Sequence, residues 1–587
     1  MTVERTVVAQ AGGRGAVRPP GPTPSRKRGT RAGVLGGTDI STRFLWALTV
    51  VTVLFLVAYP VARIIWLSVS DPATSAFDAT EFGYQLSSPS MWQAALNTLV
   101  MAFAATLVGV LVAVPMAWLC ERSNMPGRKV ITSLVFLTFM NPPLLLGLAY
   151  VMIFGPNIGV LTGALQAIGI DSTIYSWWGL ILVTACASYA IIFMTTSASL
   201  AGIDGDLENA ARAHGATTLD VATKISLPLV KPAIASGCLL SFVLALNAFG
   251  VQALIATPAR ISLLTTTIYS YFSYPVQFSA AATQAVVLIA ASVLVTLLAN
   301  VYIAAKTFPT IAGKGAKADV TALTGRGKTV GLVLCAAVVS ASVVVPMTVV
   351  LLSSLVRTQG RGFGVSNLWL GNFRQLFELG EVLPSLWNSL RLGLVSAAAM
   401  VLLALALTYF RRRRATGSKT VFAIAEIPFV IPGIVLAIGF IAGFSQPPLA
   451  LYGTAAILVM AYVSKFLPIA TRFTDNAQGQ ISSELEEAAY AHGGSPGRAF
   501  RKVLLPLMKR GLITAGVLSF VFSFNELSAS ILLIGTDTQV ASTVLLHYSQ
   551  EGLAGPMNAF AAILFLVTAT CYIIVVRISG QSLKTSI

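Results

Sequence analysis

Few side chains here could carry acid–base, nucleophilic or metal chemistry: 587 residues contain 22 Asp+Glu and 3 His. Glu426, Lys465 and Glu526 are ionisable side chains inside long apolar runs. Charge is costly in lipid, so each is a functional candidate. Lys465 and Glu526 allow two readings, an ion pair within a helix bundle or groups lining a passage. A lone carboxylate suits a cation or a hydroxylated metal without naming one. His214 and His492 are most simply imidazoles at helix C-termini, where they suit the helix dipole. A metal or pH switch is the sharper alternative. His547 stands alone. Residues 322–329 (ALTGRGKT) fit a loose phosphate-loop pattern. They border an apolar run and follow no strand, so they are not expected to bind nucleotide. Cys120, Cys186, Cys238, Cys335 and Cys571 lie in apolar runs with neither metal-knuckle nor CxxC spacing. There is no Ser/His/Asp set, no HExxH and no carboxylate pair on one helix face. No catalytic residue, metal site or cofactor is expected.

The composition says what must position these groups. Only 10% of the residues are charged and 56% are hydrophobic, with mean hydropathy +0.79. Soluble proteins carry about 25% charged residues, so a cytoplasmic globule, a secreted disulfide scaffold and a disordered chain are excluded. What remains is an all-α, polytopic membrane protein. Twelve spans are expected: Phe44–Val69, Ala94–Cys120, Val130–Phe154, Trp177–Leu200, Pro232–Ala256, Ser279–Ala304, Thr329–Leu355, Leu386–Phe410, Val421–Phe444, Leu451–Thr471, Gly511–Ile534 and Asn558–Val576. The 39 Lys+Arg against 22 Asp+Glu read as orientation signals rather than a nucleic-acid surface. With the N-terminus inside, 32 of the 39 fall in inside segments, including Arg411–Arg414, so both termini are expected in the cytoplasm. Residues 1–43, rich in Gly, Pro and Arg, read as a disordered basic tail before an uncleaved first helix. Arg63 is expected to snorkel at the outer end of that helix.

The chain repeats itself at an offset of 278 residues. Glu208-Asn209-Ala210-Ala211-Arg212-Ala213-His214-Gly215 falls on Glu486-Glu487-Ala488-Ala489-Tyr490-Ala491-His492-Gly493, and Leu227-Pro228-Leu229 on Leu505-Pro506-Leu507. Between 208 and 231, 11 of 24 positions are identical. Ser241-Phe242 and Asn247 continue the match into Ser519-Phe520 and Asn525, where Ala248 faces the charged Glu526. Both copies follow a fourth span, so the halves run parallel. Each copy predicts a helix ended by Gly215 or Gly493, then a second short helix stopped by Pro228 or Pro506 before the next span. This makes a helical elbow that either packs on its own bundle or docks a soluble partner. Asn141-Pro142-Pro143, and Pro428 with Pro432, are expected to kink the third span of each half. Such kinks shape a central passage or serve packing.

The repeated segment resembles the signature loop of permeases in bacterial ATP-binding-cassette importers. The second copy carries Glu487-Ala488-Ala489, Gly493, Val503 and Leu505-Pro506. The first carries Asn209-Ala210-Ala211, Gly215, Ile225 and Leu227-Pro228, with Asn in the acidic position, so that either Glu208 beside it compensates or that side couples with weaker charge pairing. Two such units in one chain look most like the fused ferric-iron-type permeases; similar ones serve thiamine and 2-aminoethylphosphonate. The resemblance implies a type I importer-like fold of two six-helix lobes, 44–304 and 329–577, joined by a cytoplasmic linker at 305–328 and followed by a tail at 578–587. It further implies two copies of a cytoplasmic ATPase, one per elbow, an extracytoplasmic substrate-binding protein, and no ATP hydrolysis by this chain. Glu208, Asn209, Ala210, Ala211, Gly215, Leu227, Pro228, Glu486, Glu487, Ala488, Ala489, Gly493, Leu505 and Pro506 would couple to the ATPase. Asn247, Asn525, Glu526, Pro143 and Pro432 are candidates for the pathway. An ion-coupled secondary transporter is the rival class, although it needs no twin elbows.

Overall fold

A computed structural model describes residues 40–579 except 72–73, 75, 157–158, 168–172 and 306–320. Nearly all of the basic tail, most of the linker and the last eight residues of the C-terminal tail lie outside the described residues. Among those described there are helices and isolated bridges but no named strand.

Ten helices are long and apolar enough to cross a bilayer: Ile40–Ser68, Pro89–Arg122, Trp177–Ala201, Thr218–Leu246, Phe278–Ala299, Gly325–Ser354, Val382–Arg412, Ala455–Gly479, Pro496–Phe524 and Ala554–Ile578. The third and ninth segments, expected as single spans, are each bent pairs. Arg128–Met140 meets Pro143–Phe154 at 103°, and Ser418–Phe429 meets Gly433–Phe444 at 114°. The expected kink is a break past a right angle. Asn141 is held extended before Pro142 (ψ 131°), and Pro142 and Pro432 stand extended as N-caps (ψ 135° and 140°). A residue before proline is driven from helical geometry, and proline pre-sets the next helix. The matched breakers are therefore Pro142 and Pro432, with Pro143 opposite Gly433.

A second correction concerns Pro228 and Pro506. Neither stops a helix. Thr218–Leu246 and Pro496–Phe524 run unbroken from elbow into span. Each contains a π-turn, Ala222–Ser226 or Phe500–Leu504, placed so that the proline is the second residue after it. Leu227 and Leu505 N–H reach back five residues to Ala222 O and Phe500 O. The wider turn relieves the clash of the proline ring with the carbonyl four residues earlier. The same device recurs at Leu54–Ala58 before Pro60 and Ser340–Val344 before Pro346. The fifth and eleventh spans also end sooner than expected, breaking at Asn247 and Asn525.

The halves interlock. The first span lies on the bent helix Gly433–Phe444 of the second half, where Gly439 and Gly443 let the backbones approach. A Cβ on Gly439 would sit 2.6 Å from Pro60 O. Arg63 does not snorkel. Its Nε and Nη2 donate to Ala442 O at 3.0 and 2.8 Å, satisfying a helix-end carbonyl, and Tyr59 OH donates to Gly443 O. Reciprocally, Tyr150 of the first half's bent helix donates to Ala341 O in the seventh span at 3.0 Å.

Candidate functional site

The first elbow begins with Asp204, whose carboxylate caps the helix Gly205–Ala213. Gly215 turns the chain at φ +85°, and a reciprocal Thr217–Asp220 capping box starts the next helix. The second elbow repeats the plan. Ser482 caps Ser483–Ala491, Gly493 turns at φ +74°, and Ser495 caps the helix beginning at Pro496. A positive φ favours glycine, while a Cβ at either position would meet nothing within 4 Å. The constraint is backbone conformation, not space. His214 and His492 Nδ1 each lie 2.8 Å from a carbonyl one turn back, Ala210 O and Ala488 O. Among the described residues no three His, Cys, Asp or Glu form a metal-binding group.

Each elbow is fastened to its bundle by an arginine that sequence reasoning passed over. Arg122, ending the second span, donates to Leu200 O at 2.6 Å and Ile203 O at 3.0 Å, and its Nε lies 3.6 Å from Glu208. Arg412, ending the eighth span, donates to Gln478 O and Ile481 O and pairs with Glu486 at 2.7 Å. The two joints match residue for residue. The only sequence signal was a basic residue closing a span, which reads as ordinary flanking charge. Glu208 is only 1% exposed, ringed by Arg122, Arg212 and Ser226, whose hydroxyl donates at 2.6 Å. It therefore does not replace the acid missing at Asn209 on the outer face, and Asn209 Oδ1 accepts from Arg212.

The outer faces of both elbows are open. Leu207, Ala210, Gly215, Leu219, Pro228 and Leu229 are exposed or half-exposed on the first. Leu485, Glu487, Ala488, Gly493, Pro506 and Leu507 are exposed on the second. Asn209, Ala211, Leu227, Ala489 and Leu505 complete the two elbow surfaces.

The pathway candidates gather where the helices break. A Cβ on Gly250, just past Asn247, would lie 3.1 Å from Leu144 Cβ, just past Pro143, and 3.3 Å from Leu527 Cδ2, just past Glu526. A Cβ on Gly433, after Pro432, would fall against Lys465 Nζ and 3.1 Å from Glu526 Oε1. Glu526 pairs with Lys465 at 2.8 Å. Asn525 Nδ2 donates to Val521 O and Thr568 Oγ1, whereas Asn247 Oδ1 is buried without a hydrogen-bond partner. Glu426 pairs with Arg472 at 2.9 Å and accepts from Thr471.

Other sequence candidates settle into structural places. Thr324, within the phosphate-loop-like stretch, caps the helix starting at Gly325. Cys120 and Cys335, distant in sequence, are buried neighbours and both free. His547 lies in the helix Ala541–Gln550. A further repeat emerges on the face opposite the elbows. Asn97 donates to Ser262 O and Thr98 accepts from Leu264 N–H, while Asn388 donates to Gln539 O and Ser389 accepts from Ala541 N–H.

A polytopic helical protein built of two parallel, related halves is thus defined. The family of binding-protein-dependent transport system inner membrane components matches it twice, at residues 105–308 and 400–585, and the chain belongs to that family. Ferric transport system permease protein FbpB of Actinobacillus pleuropneumoniae is 27% identical over 440 residues, which is 73% of this chain and 63% of that protein. Putative ferric transport system permease protein FbpB 1 of Haemophilus influenzae is 26% identical over 69% of this chain and 64% of its own length. The chain thus spans just under two thirds of these relatives. Molybdenum transport system permease protein ModB of Escherichia coli is 28% identical over 36% of this chain and 92% of its own. A solved bacterial ABC transporter involved in alginate import aligns with TM-score 0.41 at 20% identity, over 46% of this chain and 97% of that one.

Proposed function

We propose that this chain is the transmembrane permease subunit of an ATP-driven importer in a bacterial inner membrane. It passes a small solute from an extracytoplasmic binding protein to the cytoplasm by alternating access. Its lobes are 44–304 and 329–577, with both termini and both elbows in the cytoplasm. The observation that carries this reading is the pair of elbows: helical, capped, bolted to their bundles by arginine, and presenting equivalent open faces 278 residues apart. A lever fixed at its base transmits displacement, whereas a flexible loop absorbs it. Two copies of an ATPase would seat one elbow each, and ATP-driven closure would rock the lobes. Glu208 and Glu486 serve at the joints; Glu487, Ala488, Ala210 and the glycine turns serve at the faces. This chain supplies no ATP hydrolysis. Coupling requires only that the two lobe arrangements bind ATPase and binding protein differently.

Ferric iron is the first substrate to test, since two relatives are named as ferric transport permeases. Thiamine and aminoethylphosphonate follow from the same resemblance. The test is reconstitution in liposomes with the ATPase and binding protein. Substrate-loaded binding protein should raise ATP hydrolysis, and Gly215→Val with Gly493→Val should abolish that stimulation. Solute uptake without the ATPase would instead establish an ion-coupled transporter.

A further inference from the structure

Resting on that reading, we propose that Lys465 and Glu526 form a latch, present in the second half alone, that holds the central passage shut through Leu527. The pair lies where the eleventh span breaks. Glu526 is fixed from several sides: Lys465 Nζ donates to Oε1 at 2.8 Å, and Ala529 N–H donates to the same oxygen at 2.7 Å. Its own carbonyl accepts from Ser530 Oγ at 2.9 Å and Ser542 Oγ at 2.5 Å. Ser530 in turn bonds Tyr462 OH, one turn from Lys465 on the same helix, at 2.7 Å. The broken backbone is thereby tied to the tenth span and to the short helix Ala541–Gln550.

The next residue, Leu527, is buried and closes against Gly250 of the other half, where a Cβ would lie 3.3 Å from its Cδ2. Gly433 makes the latch fit, because any side chain there would occupy the position of Lys465 Nζ. The first half carries Ala187, Ala248 and Pro143 at the three corresponding positions. Its break therefore has no counterpart to the ion pair, and the seal depends on the second half keeping Leu527 in place. A closed hydrophobic contact adjoining a buried ion pair has two discrete arrangements, paired and parted, as a gate requires.

The experiment uses the full chain in sealed liposomes, without ATPase or binding protein. Leu527→Cys is titrated with a charged, membrane-impermeant methanethiosulfonate, and the parent chain with its five native cysteines is the blank. The introduced thiol should react slowly with the pair intact. It should react at least tenfold faster when Glu526→Gln, Lys465→Met or Gly433→Ala is added, the last of which keeps both charges but displaces the amine. The control Arg472→Met with Glu426→Gln removes the second half's other ion pair, more exposed and at the end of the tenth span, and should leave that thiol slow. Equal rates across all variants, or an equal rise in the control, would overturn the latch. Because no ATPase is present, failure here is separable from failure of binding-protein-stimulated hydrolysis, which tests the permease reading itself.

Discussion

The two halves share their mechanics and differ in their chemistry. Elbow, glycine turn, arginine joint, π-turn with proline, sharply bent third segment and outer asparagine clamp recur at equivalent positions. The ion pairs of the second half's third, fourth and fifth segments do not. Lys465–Glu526 and Arg472–Glu426 of the second half stand opposite Ala187, Ala248, Met194 and Phe136 in the first. The first half instead buries Tyr189 against Ser342, which belongs to the seventh span. The elbows and their joints are matched between the halves, and the buried ion pairs are not.

Unequal burial of the matched joints gives the sharpest way to break the symmetry. Arg122→Ala leaves Glu208, 1% exposed, with Arg212 at 3.6 Å as its remaining charged partner beside the Ser226 hydroxyl. It should cost about 3–5 kcal/mol, as expected when a buried charge loses its partner. Arg412→Ala, with both partners more exposed, should cost about 1–3 kcal/mol. Thermal unfolding in detergent reads the difference, and equal losses would mean the joints are equivalent.

Next comes the interlock. Gly439→Ala pushes a Cβ toward Pro60 O and should destabilise by about 1–3 kcal/mol through overpacking. Ala149, its counterpart, already carries a Cβ, so Ala149→Gly should cost only about 1 kcal/mol of helix propensity. Proteolytic protection of the first span separates the two.

Gly215→Ala and Gly493→Ala should then each cost about 1–2 kcal/mol, since both force a side chain into left-handed backbone. Here the halves should agree, and binding-protein-stimulated ATP hydrolysis should fall with either. The smallest effect belongs to the outer clamps. Asn388→Ala loses two backbone bonds and Asn97→Ala one, each bond being worth about 0.5–1.5 kcal/mol. Hydrogen exchange at Ala541 and Leu264 amides should rise more in the former.

Much of this was legible from residue order. Hydropathy located twelve segments because a span must be apolar over its length, and the parallel repeat located both elbows. Glu526 and Lys465 stood out because charge is rare in lipid. Other features were hidden for physical reasons. An apolar run reads the same straight or sharply bent, so the breaks at Pro142 and Pro432, past a right angle, exceeded the expected kink. A π-turn has no composition of its own, so Pro228 and Pro506 looked like stops. Arg63, Arg122 and Arg412 find carbonyl partners far away in the chain or around a corner, which local spacing cannot reveal.

The seat of the first helix has a consequence for biogenesis. Tyr59 and Arg63 bond to Gly443 and Ala442, separated from them by 384 and 379 residues. While the ribosome makes the first lobe, that helix enters the bilayer with Arg63 unanswered. It waits through the insertion of seven further segments until its acceptor emerges. A charge without a partner in apolar surroundings is costly, so that interval is where shielding by the insertion machinery or by lipid headgroups would count. Supplying the second lobe as a separate polypeptide would lengthen the wait rather than remove it.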